Sequence, residues 1–115
     1  NNLKIKQMPR MNVVEISCNL PHKTYINRVK KFFNEIGERM NLIILTPIIH
    51  VKDKDGHDTF ISTDNSKNGD ITAILTVSRV DNIITIMLEL PYPLSIFSNP
   101  GYTRVIENYG NSVFK

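Results

Sequence analysis

The longest amphipathic signal in the chain runs from Pro21 to Met40, PHKTYINRVKKFFNEIGERM. Tyr25, Ile26, Val29, Phe32, Phe33, Ile36 and Met40 recur at steps of three and four. At about 100° per residue these positions fill roughly 120° of arc, the apolar stripe of a helix lying on a core. Pro21 suits a first helical turn, where its missing N–H costs nothing, and Asn19 stands where an N-cap would. No other window matches this one, so the pattern predicts a single main helix.

Around it the period is two. From Asn12 to Cys18, Val14, Ile16 and Cys18 alternate with Val13, Glu15 and Ser17, which predicts a strand. Leu42 to Lys52 is apolar and β-branched, but Pro47 cannot donate a ladder hydrogen bond. An edge strand or a bulge at Pro47 is expected there. Lys52 to Asp70, KDKDGHDTFISTDNSKNGD, reads as a mobile polar loop of Asp, Asn, Ser and Gly, anchored only by Phe60-Ile61. Ile71, Ala73, Leu75 and Val77 share one face of a strand that ends at Val80. Asp81-Asn82 turns the chain, and Ile84, Ile86, Leu88 and Leu90 then alternate with Thr85, Met87 and Glu89, completing a hairpin. Pro91, Pro93 and Pro100 punctuate an irregular link containing Leu94, Ile96 and Phe97. TRVIENYGNSVFK reads as two short strands turning at Tyr109-Gly110. The sum is an α+β fold, an antiparallel sheet of about five strands with one main helix packed on one face. It occupies residues 12–115 as one domain, behind a basic arm at 1–11 that carries Lys4, Lys6 and Arg10.

Composition narrows this picture. With 115 residues, 41% of them apolar, and a net charge of +3, the chain can fold around a small core. Cys18 is the only cysteine, so no internal disulfide forms and a reducing compartment is expected. No run of about 18 apolar residues and no signal-peptide pattern occurs, which predicts a cytoplasmic protein without a membrane span. The start at Asn-Asn suggests a domain of a longer protein.

Charge changes the picture more. Residues 1–40 carry Lys4, Lys6, Arg10, Lys23, Arg28, Lys30, Lys31 and Arg39 against Glu15, Glu35 and Glu38, a balance of +5. Residues 41–115 balance at −2, so a polyanion would meet the helix half first.

Candidate chemistry is sparse. DKDGHDTFISTD resembles a calcium loop, but counting from Asp53 puts Gly56 fourth rather than sixth and Asp64 at the twelfth position, between strands. Cys18 and His22 lack an orienting group and an oxyanion site, and Cys18 falls on the inward face. His50 and His57 with Asp53, Asp55 and Asp58 show none of the usual metal-ligand spacings. No phosphate loop or carboxylate pair stands out. Neither an enzyme nor a metal or cofactor is expected.

The basic helix flank remains. Lys23, Asn27, Lys30 and Asn34 line one edge of the polar face, then Lys31 and Glu38, then Arg28, Glu35 and Arg39. Glu35 and Arg39 are spaced as an i,i+4 pair, which leaves Lys23, Arg28, Lys30 and Lys31 free, either merely solvated or binding an anionic surface. Near an acidic membrane each would contribute on the order of 1 kcal/mol. Nucleic acid is not the expected partner: there is no exposed aromatic pair to stack bases, no helix-turn-helix pattern and no zinc spacing.

The order of elements resembles a known family. VVEISC leads into the helix with Val29-Lys30-Lys31-Phe32-Phe33, and a later apolar strand reads Ile86-Met87-Leu88-Glu89-Leu90-Pro91. Then come Leu94, Asn99-Pro100-Gly101, Tyr102-Thr103-Arg104-Val105-Ile106, Gly110 and Ser112-Val113-Phe114-Lys115. Over residues 12–115 this resembles the kinase-associated C-terminal domain of MARK-type, AMPK-related and yeast septin-associated protein kinases. That family continues into a second helix after Phe-Lys, and it is shorter at 53–70 and at Pro91-Tyr92-Pro93. The resemblance implies a non-catalytic, membrane-targeting domain that binds acidic phospholipids, above all phosphatidylserine, through basic residues. It also implies packing on the Ser/Thr kinase domain of the same chain, holding it inactive, at the inner face of the plasma membrane. The expected anion-binding set is Lys4, Lys6, Arg10, Lys23, Arg28, Lys30, Lys31, Arg104 and Lys115. A rival resemblance, to RWD-like modules of kinetochore and ubiquitin-pathway proteins, rests on Tyr92-Pro93 followed by Pro100. It implies a protein–protein adaptor with an apolar patch near Tyr92 and Phe97.

Overall fold

Seven elements follow one another in the computed structural model, which describes residues 10–42, 45–90 and 100–115, except the side chains of 10, 11 and 100. They are β1 (Arg10–Ser17), α1 (His22–Arg39), β2 (Ile49–Lys52), β3 (Asp58–Asn65), β4 (Ile71–Val80), β5 (Ile83–Leu90) and α2 (Pro100–Phe114). The strands form one antiparallel sheet in the order β1-β5-β4-β3-β2. β1 and β2 stand at opposite edges, so α1, the element between them, carries the chain across the sheet.

Register decides which side of the sheet is covered. Val14, Ile86, Val77 and Phe60 lie opposite one another in four adjacent strands, and all four are buried. Tyr25 of α1 meets Phe60 edge-on at 6.1 Å, while Phe32 stacks on Tyr109 of α2 at 5.7 Å. Phe114 closes the cluster, 6.0 Å from Tyr25 and 5.6 Å from Phe32. As α1 runs forward past Tyr25 and Phe32, its partners in α2 run backward from Phe114 to Tyr109. The helices are therefore antiparallel neighbours on one face of the sheet.

The α+β class and the five-stranded antiparallel sheet are as the sequence pattern predicts. So are the β4–β5 hairpin, with Asp81 at φ +55° in its turn, and the edge position of β2. Four local expectations change. The closing segment is not two short strands but the helix α2, so the sheet carries two helices. Tyr102, Val105, Ile106, Tyr109 and Val113 supply a helical stripe, and Gly110 is a packing position rather than a turn. A Cβ there would stand 2.5 Å from Ile16 Cδ1 and 3.1 Å from Ile86 Cδ1, so α2 lies hard against β1 and β5.

The expected loop at 52–70 contains β3. Its inward positions are Phe60, Ser62 and Asp64, and the two polar ones are buried because each finds a partner. Ser62 donates to the Thr46 carbonyl at 2.8 Å, and Thr72 Oγ1 lies 2.6 Å from Asp64 Oδ2. The strand expected over 42–52 forms only as Ile49–Lys52, with an isolated bridge from Leu45 to Asp64 before Pro47. Finally, Pro21 is itself the N-cap of α1, and no side chain, Asn19 included, caps it.

Candidate anion-binding face

The buried stripe of α1 sets where its charged residues point. With Tyr25, Val29, Phe32, Phe33 and Ile36 turned to the core, Lys23, Lys30 and Lys31 are left exposed. On α2, burial of Ile106, Tyr109 and Val113 leaves Arg104 exposed, with Lys115 exposed just after its end. Phe114 contacts Tyr25, which places Lys115 at the end of α1 that carries Lys23.

Arg28 is half-buried between the helices and donates from Nη1 to the Val113 carbonyl at 3.4 Å. A cation at a helix C-terminus is favoured by the aligned peptide dipoles, so Arg28 helps hold α2 in place. Arg39 lies over the Tyr109 ring, 4.1 Å from its centroid, and the Tyr109 hydroxyl donates to Glu35. The expected Glu35–Arg39 neighbours are thus joined through a tyrosine of the other helix. Burial, and then the bond to Glu35, push the Tyr109 pKa up to about 12.

Among the described residues, the ion pairs join Asp58 to His22, His50 and Lys52, and Asp53 to His57. None involves Lys23, Lys30, Lys31, Arg104 or Lys115, whose charges therefore face solvent without a carboxylate partner. Lys4 and Lys6 lie outside the described residues, as do Tyr92 and Phe97, and Arg10 is described only as backbone in β1. The other face of the sheet carries Glu15 and Glu89 and no described cation. The exposed cations of the two helices share their side with Glu38 and Glu107 and still outnumber them, while Lys54 and Lys67 lie in the turns after β2 and β3.

A second polar cluster lies where α1 starts beside the β2–β3 turn, and spacing along the chain gave no sign of it. His50 Nε2 and Lys52 Nζ approach Asp58 Oδ1 at 2.6 and 3.0 Å, and His22 Nε2 lies 3.5 Å from Oδ2. Burial opposes ionisation of Asp58, but the hydrogen bonds from His50 and Lys52 outweigh it and hold the carboxyl below its usual range. A cleft of about 240 Å³ adjoins it, lined by His22, Tyr25, His57, Asp58, Arg79 and Asp81 among others. Arg79 donates from Nε to the Asp81 carbonyl at 2.9 Å and from Nη2 to the Cys18 carbonyl at 3.2 Å.

Asp53, Asp55 and His57 come close enough to share a cation. Yet Asp53 Oδ1 already accepts the backbone N–H groups of Asp55 and His57, both at 2.8 Å, and Oδ2 meets the His57 ring at 3.1 Å. That is the wiring of a tight turn. Cys18 is buried among apolar residues, which suits packing rather than nucleophilic attack. Comparison with protein-family models, with curated proteins and with solved structures found no match for this chain.

Proposed function

We propose that this domain attaches reversibly to acidic phospholipid membranes through its helical side, as a non-catalytic targeting module. The observation that carries this reading is the sidedness of charge. Five exposed cations without a carboxylate partner lie on α1, on α2 or just after its end, while the far face of the sheet carries Glu15 and Glu89 and no described cation. At about 1 kcal/mol per basic residue near an anionic bilayer, five such side chains suffice for salt-sensitive attachment. They do not select one lipid headgroup. The resemblance to kinase-associated C-terminal domains adds the inner face of the plasma membrane, phosphatidylserine and the Ser/Thr kinase domain of the same chain.

Vesicle sedimentation at graded phosphatidylserine content tests the reading. The bound fraction should rise with lipid charge and fall with salt. The double variant Lys30→Ala/Lys31→Ala should bind about 30-fold more weakly, from roughly 2 kcal/mol lost. Its urea midpoint should stay unchanged, because both side chains stand in solvent. Weak binding indifferent to lipid charge and salt would remove the proposal.

A further inference from the structure

We infer that the face of the sheet opposite the helices is a second interaction surface, shaped to take a basic amphipathic helix of a partner protein. No described element packs on this face. Strand register places Val13, Met87, Thr76, Ile61 and Ile49 opposite one another, an unbroken row across all five strands. Its ends are open, with Val13 48% and Ile49 58% exposed; Val51 adjoins Ile49, and Val80 and Ile83 are exposed on the same face beyond a rank of polar residues. An antiparallel sheet with one face in water normally shows polar residues there. Here about half of the described positions are apolar, and Val13, Ile49, Val51, Val80 and Ile83 are each more than 40% exposed, which marks a surface open to a partner.

The carboxylates specify what covers it. Glu15 and Glu89 are the charged residues of this face among those described. They flank the Val13–Met87 rung on opposite sides, Glu15 beside Val13 in β1 and Glu89 beside Met87 in β5. A helix whose apolar stripe follows the row would set both of its flanks against a carboxylate at this end, so those flanks must be Lys or Arg. Four inter-strand spacings of about 4.8 Å make the row roughly 19 Å long. At 1.5 Å rise per residue, a helix of about 13 residues spans it. A second copy of this chain fits less well: its own open face offers no described cation, so Glu15 and Glu89 would lose water and gain no partner.

The test uses two fluorescein-labelled helical peptides of about 14 residues, Leu at i, i+3, i+4 spacing with Lys elsewhere, or the same with Glu elsewhere. Anisotropy titration should show saturable binding of the Lys peptide and none of the Glu peptide. Two variants, Val13→Ser/Ile49→Ser and Glu15→Gln/Glu89→Gln, should each weaken binding by about fivefold or more. Circular dichroism shows whether each is folded, and the surface charge pair keeps the test decisive should the first variant unfold. Lys30→Ala/Lys31→Ala should leave the affinity unchanged, which separates this surface from the membrane face. The inference is overturned by equal binding of the two peptides, by no binding, or by affinity indifferent to the folded variants. A dimer in sedimentation that Val13→Ser/Ile49→Ser dissociates would overturn it too, by making the occupant a second copy.

Discussion

Two glycines with similar surroundings on paper predict opposite outcomes. At Gly110 an added Cβ meets Ile16 and Ile86, which are 2% and 0% exposed and held between sheet and helix. Neither can move away without opening the core, and overpacking of this kind costs about 1–3 kcal/mol, more than the roughly 1 kcal/mol that alanine gains in a helix. At Gly37 the obstacle is Leu45 Cδ1 at 2.8 Å, the far end of a flexible, half-buried side chain outside the named strands and helices. Gly110→Ala should therefore lower the urea midpoint and Gly37→Ala should hold or raise it; the reverse order would contradict the packing described. Tyr109 gives a prediction in pH. Its folded pKa is raised to about 12, so its contribution to stability is complete below the unfolded value of about 10 and is lost as pH climbs through 12. Tyr109→Phe should flatten the alkaline fall in stability between those limits in urea melts. Tyr25, also raised by burial, is common to both proteins and cancels in the comparison.

At the scale of elements, Asp58 is the knot that ties β2, β3 and the start of α1. α1 has no side-chain cap and no acidic residue in its first turn, so Asp58 supplies the negative charge that its N-terminus lacks. Because the folded pKa of Asp58 is depressed, this contribution is present above an unfolded value of about 3.9 and fades as pH falls through the folded one. Asp58→Asn should cost about 1 kcal/mol at pH 7, since its partners are largely exposed, and the cost should shrink as pH falls from the unfolded value through the folded one. Chemical denaturation across that range checks it. The same elements explain how much could be read from sequence. α1 and the β4–β5 hairpin were legible because their apolar periods run unbroken and Asp81-Asn82 marks the turn. β3 was not, because Ser62 and Asp64 are buried by bonds to Thr46 and Thr72, partners that only folding supplies. α2 carried the right spacing from Tyr102 to Val113, but Asn108, Gly110 and Asn111 are poor helix formers, and packing overrode them. Of the candidate site, Lys23, Lys30 and Lys31 were legible because the period of α1 fixes their face. The seat of Arg28 on Val113, 85 residues away, was not.

The whole molecule has two unlike sides, and they stand far enough apart to act separately. Its shortest principal extent is 25 Å, about three Debye lengths at physiological salt, where that length is about 8 Å. A bilayer against α1 and α2 therefore feels the exposed lysines but hardly feels Glu15 and Glu89 across the sheet. Attachment should be oriented, with the helices toward lipid and the open sheet face toward solution, where a partner could reach it. Single-cysteine labelling can read this directly, since Cys18 is only 1% exposed and resists labelling in the folded protein. An environment-sensitive dye at Lys31→Cys should lose several-fold of its quenching by neutral acrylamide when phosphatidylserine vesicles are added. The same dye at Val13→Cys should be quenched as before. Protection of position 13 with position 31 left open would mean that the apolar sheet face, not the cationic helices, meets the bilayer, because burial of Val13 in lipid needs no charge at all.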